Sequence, residues 1–93
     1  MQFLLLVTIP DPEAAKPHLT GHRAFLEGEF AKGRFLTYGP IFPLGSAGFI
    51  LADYESEEAL AEAIARDPLV ISKTASYESR QIVIGKNQLE KME

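Results

Sequence analysis

One imidazole stands inside an apolar helical stripe. Leu19, His22, Leu26 and Phe30, with Phe25 beside them, recur at spacings of three and four. That spacing predicts a helix over residues 17–32 with this stripe turned toward a sheet. An imidazole placed there gives up water and requires a polar partner. A carboxylate on one ring nitrogen would fix the tautomer and leave the other nitrogen free to take or give a proton. His18, near the start of the same helix, is expected to be exposed and is the weaker candidate. The chain has two histidines and no cysteine, and no carboxylate spacing around the histidines repeats a known metal motif. We therefore expect no metal site. Neither a phosphate loop nor a dinucleotide fingerprint occurs, and no cofactor is expected.

The elements that must position His22 follow from the punctuation of the chain. Residues 1–9 read as a strand, stopped by Pro10 and Pro12, with a loop expected to residue 16. Pro17 suits a first helical turn, and Gly33 is a natural C-terminal stop. Gly21 and Gly28 weaken that helix unless they mark close packing. Residues 34–38 form a second strand, and residues 41–46, with Pro43 and Gly45, form a loop. A third strand covers residues 48–52. Ser56 caps a second helix, with Glu57 and Glu58 well placed against its dipole. Asp67–Pro68 breaks that helix. Residues 69–75 are ambiguous, and residues 77–84 form the last strand. We expect one domain over residues 1–85 and a polar tail over 86–93.

This order, βαββαβ, is that of an α+β ferredoxin-like sandwich. Its first and third strands should be central, with both helices on one face. Residues 3–7 and 49–52 are apolar without alternation, so both sheet faces should be covered. A second copy of the chain is the natural cover, and a homodimer through the sheet face is expected. Following the chain direction, one end of the helix-side layer collects Thr8, His22, Tyr38, Gly39, Ser46, Asp67 and Tyr77. Asp67 is then the expected partner of His22. Tyr38 and Tyr77 would line a pocket with Thr8, Ser46 could donate a hydrogen bond, and Gly39 would permit a turn.

A histidine on the first helix is followed by Gly33–Arg34–Phe35–Leu36–Thr37–Tyr38–Gly39–Pro40. Gly48, Glu55–Ser56–Glu57–Glu58–Ala59 and Asp67–Pro68 come after in that order. This pattern resembles the YCII-related (YciI-like) family over nearly the whole chain. The resemblance implies a ferredoxin-like fold of the dimeric α/β-barrel type and an active-site His–Asp pair at His22 and Asp67. It also implies kinship with a dehydrochlorinase acting on a chlorinated hydroxyquinol. Many relatives carry an arginine shortly before the histidine, where this chain has Leu19. The loop between Pro40 and Gly48 also looks shorter than in some of them.

A net charge of −4 argues against a nucleic-acid backbone or an anionic membrane as partner. The apolar run at residues 3–7 lacks a basic leader and is followed at once by prolines, so it does not read as a signal peptide. No run reaches the roughly 20 apolar residues a membrane span needs. A cytoplasmic protein is expected. A cofactor-independent enzyme of elimination, isomerisation or hydrolysis, acting on an unknown small molecule, fits these residues. A non-catalytic small-molecule-binding or interaction module on the same fold fits them too, as does a purely structural dimer.

Overall fold

The computed structural model describes residues 1–91. They form a four-stranded antiparallel sheet in the order β2-β3-β1-β4, where β1 is Gln2–Thr8, β2 Phe35–Pro40, β3 Ala47–Asp53 and β4 Ser76–Ile82. β1 and β3 are central, as the βαββαβ order predicts. The long helix α2 spans Leu19–Ala31 and α3 spans Glu57–Ile64.

The helical region begins earlier than the two prolines suggest. α1 covers Pro12–Ala15, and a 3-10 turn over Lys16–His18 leads into α2. The physical reason is a cap: Asp11 accepts the amides of Glu13 and Ala14, and Pro12 occupies the first turn, where its missing N–H costs nothing. The ambiguous stretch after Asp67 is likewise helical, with α4 at Pro68–Ile71. Residues 89–91 of the polar tail form a 3-10 turn; Met92 and Glu93 lie outside the described residues.

Alternate residues of β1 point to opposite faces. Phe3, Leu5 and Val7 are buried under the helices, together with Ile50 and Ala52 of β3 and Phe35 of β2. Leu4 and Leu6 point the other way, paired with Leu51 and Phe49 of β3. Leu6 is 39% exposed there. The apolar character on both faces is therefore real, and on one face it is only partly covered.

The inward stripe of α2 differs from the expected one at a single residue. Phe30 is 54% exposed and packs edge-on against Tyr38, while Glu29 is buried. Seven residues bring a helix back to within about 20° of its starting direction, so Glu29 stands nearly below His22 and Phe30 has rotated away. The Glu29 carboxylate accepts a 2.5 Å hydrogen bond from the Tyr54 hydroxyl and a 3.2 Å bond from Lys32 Nζ. Burial pushes its carboxyl up, but these bonds and the Lys32 and Arg66 charges outweigh it and hold the group below the ordinary range.

Leu5→Ala, in the fully buried row of β1, should cost about 2–5 kcal/mol in chemical denaturation. Thr8→Ala, exposed on the same strand, should stay within about 0.5 kcal/mol.

Candidate active site at the end of the helix layer

α2 and α4 meet where α2 begins its second turn. A Cβ on Gly21 would stand 3.0 Å from Pro68 Cγ, so the missing side chain is what lets the two helices close to this distance. Gly28 has nothing within 4 Å and plays no such part. The next residue after Gly21 is His22, and the residue before Pro68 is Asp67. Close approach of the helices thus delivers the imidazole to the carboxylate.

His22 Nδ1 lies 2.9 Å from each Asp67 carboxylate oxygen. Asp67 Oδ2 also accepts a 2.6 Å hydrogen bond from the Tyr77 hydroxyl, and Oδ1 accepts the Leu69 amide at 2.9 Å. The last bond is the N-cap of α4, which explains why this carboxylate sits at a helix break. Asp67 is fully buried, whereas the His22 side chain is 12% exposed. Burial pushes the Asp67 carboxyl up; the bonds from His22, Tyr77 and Leu69, with the imidazolium charge, outweigh it and hold the group below the usual carboxylate range. Burial and the neighbouring Asp67 carboxylate push the Tyr77 phenol far up, so it stays a donor. An ionised carboxylate only accepts, so Nδ1 carries the proton and Nε2 is the nitrogen left for chemistry.

His22 forms part of the wall of a cavity of about 260 Å3 between α2 and the sheet. Val7 and Ile50 come from the central strands, Leu19, Arg23 and Leu26 from α2, and Tyr38 and Gly39 from β2. A Cβ on Gly48 would stand 3.1 Å from the Gly39 carbonyl oxygen, so the strands close tightly at this end. His22, Tyr38 and Gly39 reach the cavity as the sequence suggests. Three other expected residues are placed differently. Tyr77 stands behind His22 on Asp67 rather than in the cavity wall. Thr8 is exposed, on the side of β1 opposite Val7. Ser46 is exposed and contributes its carbonyl to the Ile9 amide at 2.7 Å. His18 is half-buried and caps α2 through its backbone position alone. Arg23 lines the cavity, and its spacing of four from Leu19 and three from Leu26 would have marked it in the sequence.

The wall offers one imidazole with its carboxylate behind it, and among the described residues no three or more His, Cys, Asp or Glu side chains converge as a metal centre needs.

The YCII-related domain model matches residues 1–85. The chain belongs to the YCII-related family. Among solved structures it is similar to 5-chloro-2-hydroxyhydroquinone dehydrochlorinase from Burkholderia phenoliruptrix AC1100 in complex with 2,5-dihydroxybenzoquinone. That match has a TM-score of 0.78 at 18% identity and covers 91% of this chain and 96% of the other. It is also similar to muconolactone isomerase, with a TM-score of 0.75 at 17% identity over 96% of this chain and 95% of the other. These likenesses show the ferredoxin-like fold. No curated protein matches the sequence. Among the described residues, no helix is long and apolar enough to cross a membrane.

The surroundings of Asp67 set what its removal should cost, since the structure buries it under three donors. Asp67→Ala should cost about 3–5 kcal/mol, because Tyr77 and the Leu69 amide lose their acceptor along with His22. His22→Ala should cost on the order of 1 kcal/mol, since the carboxylate keeps its other two donors. The folded-state carboxyl of Asp67 titrates below its unfolded value of about 3.9. Its contribution is thus present above that pH and is lost as the pH falls toward the folded value. Denaturation midpoints between about pH 6 and pH 2 should fall less steeply in Asp67→Asn than in the unaltered protein. Glu29, whose carboxyl is also held low, should contribute to the slope that remains.

Proposed function

We propose that residues 1–85 are a single-domain, cofactor-independent enzyme in which His22 Nε2 moves a proton to and from a small molecule in the adjoining cavity. One observation carries this reading: both Asp67 oxygens engage Nδ1, while the same imidazole forms part of the cavity wall. As base, Nε2 takes a proton from a carbon beside an electron-withdrawing group; Asp67 stabilises the imidazolium that results. Return of that proton to another carbon gives an isomerisation. Departure of a leaving group on the electrons released gives an elimination. The two structural neighbours, a dehydrochlorinase and an isomerase, stand on these two branches. Hydrolysis, with Nε2 activating water, uses the same geometry. Tyr38 and Gly39 would contact the substrate, while Tyr77 would hold Asp67 in place.

The test is a screen of small chlorinated phenols, quinols and lactones for turnover. His22→Ala should lower kcat by about 100-fold or more on any substrate found, with the fold retained by circular dichroism. Equal turnover in His22→Ala would remove the imidazole from the chemistry. Saturable binding with no turnover of any compound would favour a binding module.

We further propose that the chain works as a homodimer through the face bearing Leu4, Leu6, Phe49 and Leu51, which is apolar and lies opposite the face that packs against α2 and α3. Light scattering at micromolar concentration should give twice the 10.3 kDa chain mass. Leu6→Asp should shift the protein to monomer. A clean monomer mass for the unaltered chain would sink this assignment.

A further inference from the structure

Leu19, His22, Arg23 and Leu26 occupy positions i, i+3, i+4 and i+7 of α2, the four that share one helical face. All four line the cavity. Arg23 is exposed, so it stands at the rim of that wall rather than within it. Its ion-pairing capacity is unspent: among the described residues no carboxylate pairs with it, Glu27 one turn further on included.

The rest of the wall sharpens the point. Among the described residues, no aspartate or glutamate lines the cavity. The carboxylate that His22 engages, Asp67, is fully buried behind it and occupied by three donors. In a chain of net charge −4, this recess therefore presents a guanidinium beside an imidazole, over walls of Val7, Leu19, Leu26 and Ile50. A planar guanidinium matches a carboxylate in shape and charge. A cavity of about 260 Å3 exceeds the roughly 150 Å3 that encloses benzene.

The geometry points to a small organic carboxylate as the ligand of this cavity, with a ring-sized apolar body on the leucine and valine walls and its carboxylate held by Arg23. Arg23 thus sets substrate class, and it leaves His22 Nε2 free for the body of the molecule. This assignment rests on the cavity being the substrate site, but not on His22 being a base.

The probes are benzoate, benzyl alcohol and inorganic phosphate, titrated into the 15N-labelled full chain while the amides of Leu26, Gly39 and Gly48 are followed. Benzoate should shift these amides saturably, at least about fivefold more tightly than benzyl alcohol. Phosphate, which has charge without an apolar body, should bind more weakly than benzoate. Arg23→Gln should weaken benzoate by about tenfold and leave benzyl alcohol within about twofold. Arg23→Lys should keep most of the benzoate affinity. Arg23 is exposed and forms no ion pair among the described residues, so both variants should fold. Benzoate affinity unchanged in Arg23→Gln, or phosphate binding as well as benzoate, overturns the assignment. In either case the cavity remains a binding site and the proton-transfer reading stands. If none of the three probes moves these amides, the carboxylate assignment falls together with the cavity as a substrate site.

Discussion

Asp67 has no water to fall back on. A carboxylate removed from solvent must have donors or it becomes neutral, and here three converge on it from three elements: His22 on α2, Tyr77 on β4 and the first turn of α4. Each donor is fixed by the same requirement. The Asp–Pro step therefore ends α3, starts α4, ties the last strand to the helix layer and sets the tautomer of the imidazole at once. Burial is unequal across the pair, with the carboxylate enclosed and the imidazole it orients forming part of a wall that a small molecule can reach.

The cavity owes its existence to what the strands lack at this end. Gly48 stands beside Val7 in the ladder and puts no side chain into the space, and α2 is held close to α4 by its contact with Pro68 at Gly21. Space is thus left between α2 and the strand ends while the rest of the interface is packed with Phe3, Leu5 and Phe35. Stability and recess are assigned to opposite ends of one layer.

Much of this could be read from the sequence, for reasons tied to particular residues. The βαββαβ order is legible because Gly33, Ser56 and Asp67–Pro68 punctuate it, whereas Gly39, expected at a turn, and Pro40 pair within β2 itself. His22 and Asp67 are legible because the topology forces two distant residues to one end. The open face is visible in the unbroken apolar run of β1. What escaped was whatever hinges on contacts between side chains. Pro10 and Pro12 read as breakers, yet the Asp11 side chain turns Pro12 into a helix start. Glu29 was hidden because burial of a charge is unexpected until Tyr54 and Lys32 are seen beside it. Thr8 and Ser46 were carried to the site by their place in the chain, but strand alternation and loop exposure turn their side chains away. Arg23 was overshadowed by the histidine next to it.

The seven-residue interval between His22 and Glu29 gives α2 a two-point mounting. At its beginning the helix supplies an imidazole to a carboxylate outside it; near its end it supplies a carboxylate to the Tyr54 phenol outside it. The two anchors are about 10 Å apart along the axis and face nearly the same way. Sliding or rolling the helix would break both polar links together, each in an environment that cannot replace them with water. Such a helix behaves as a rigid rail whose position is fixed at both ends, and the imidazole inherits that rigidity although half of its surroundings is an open recess.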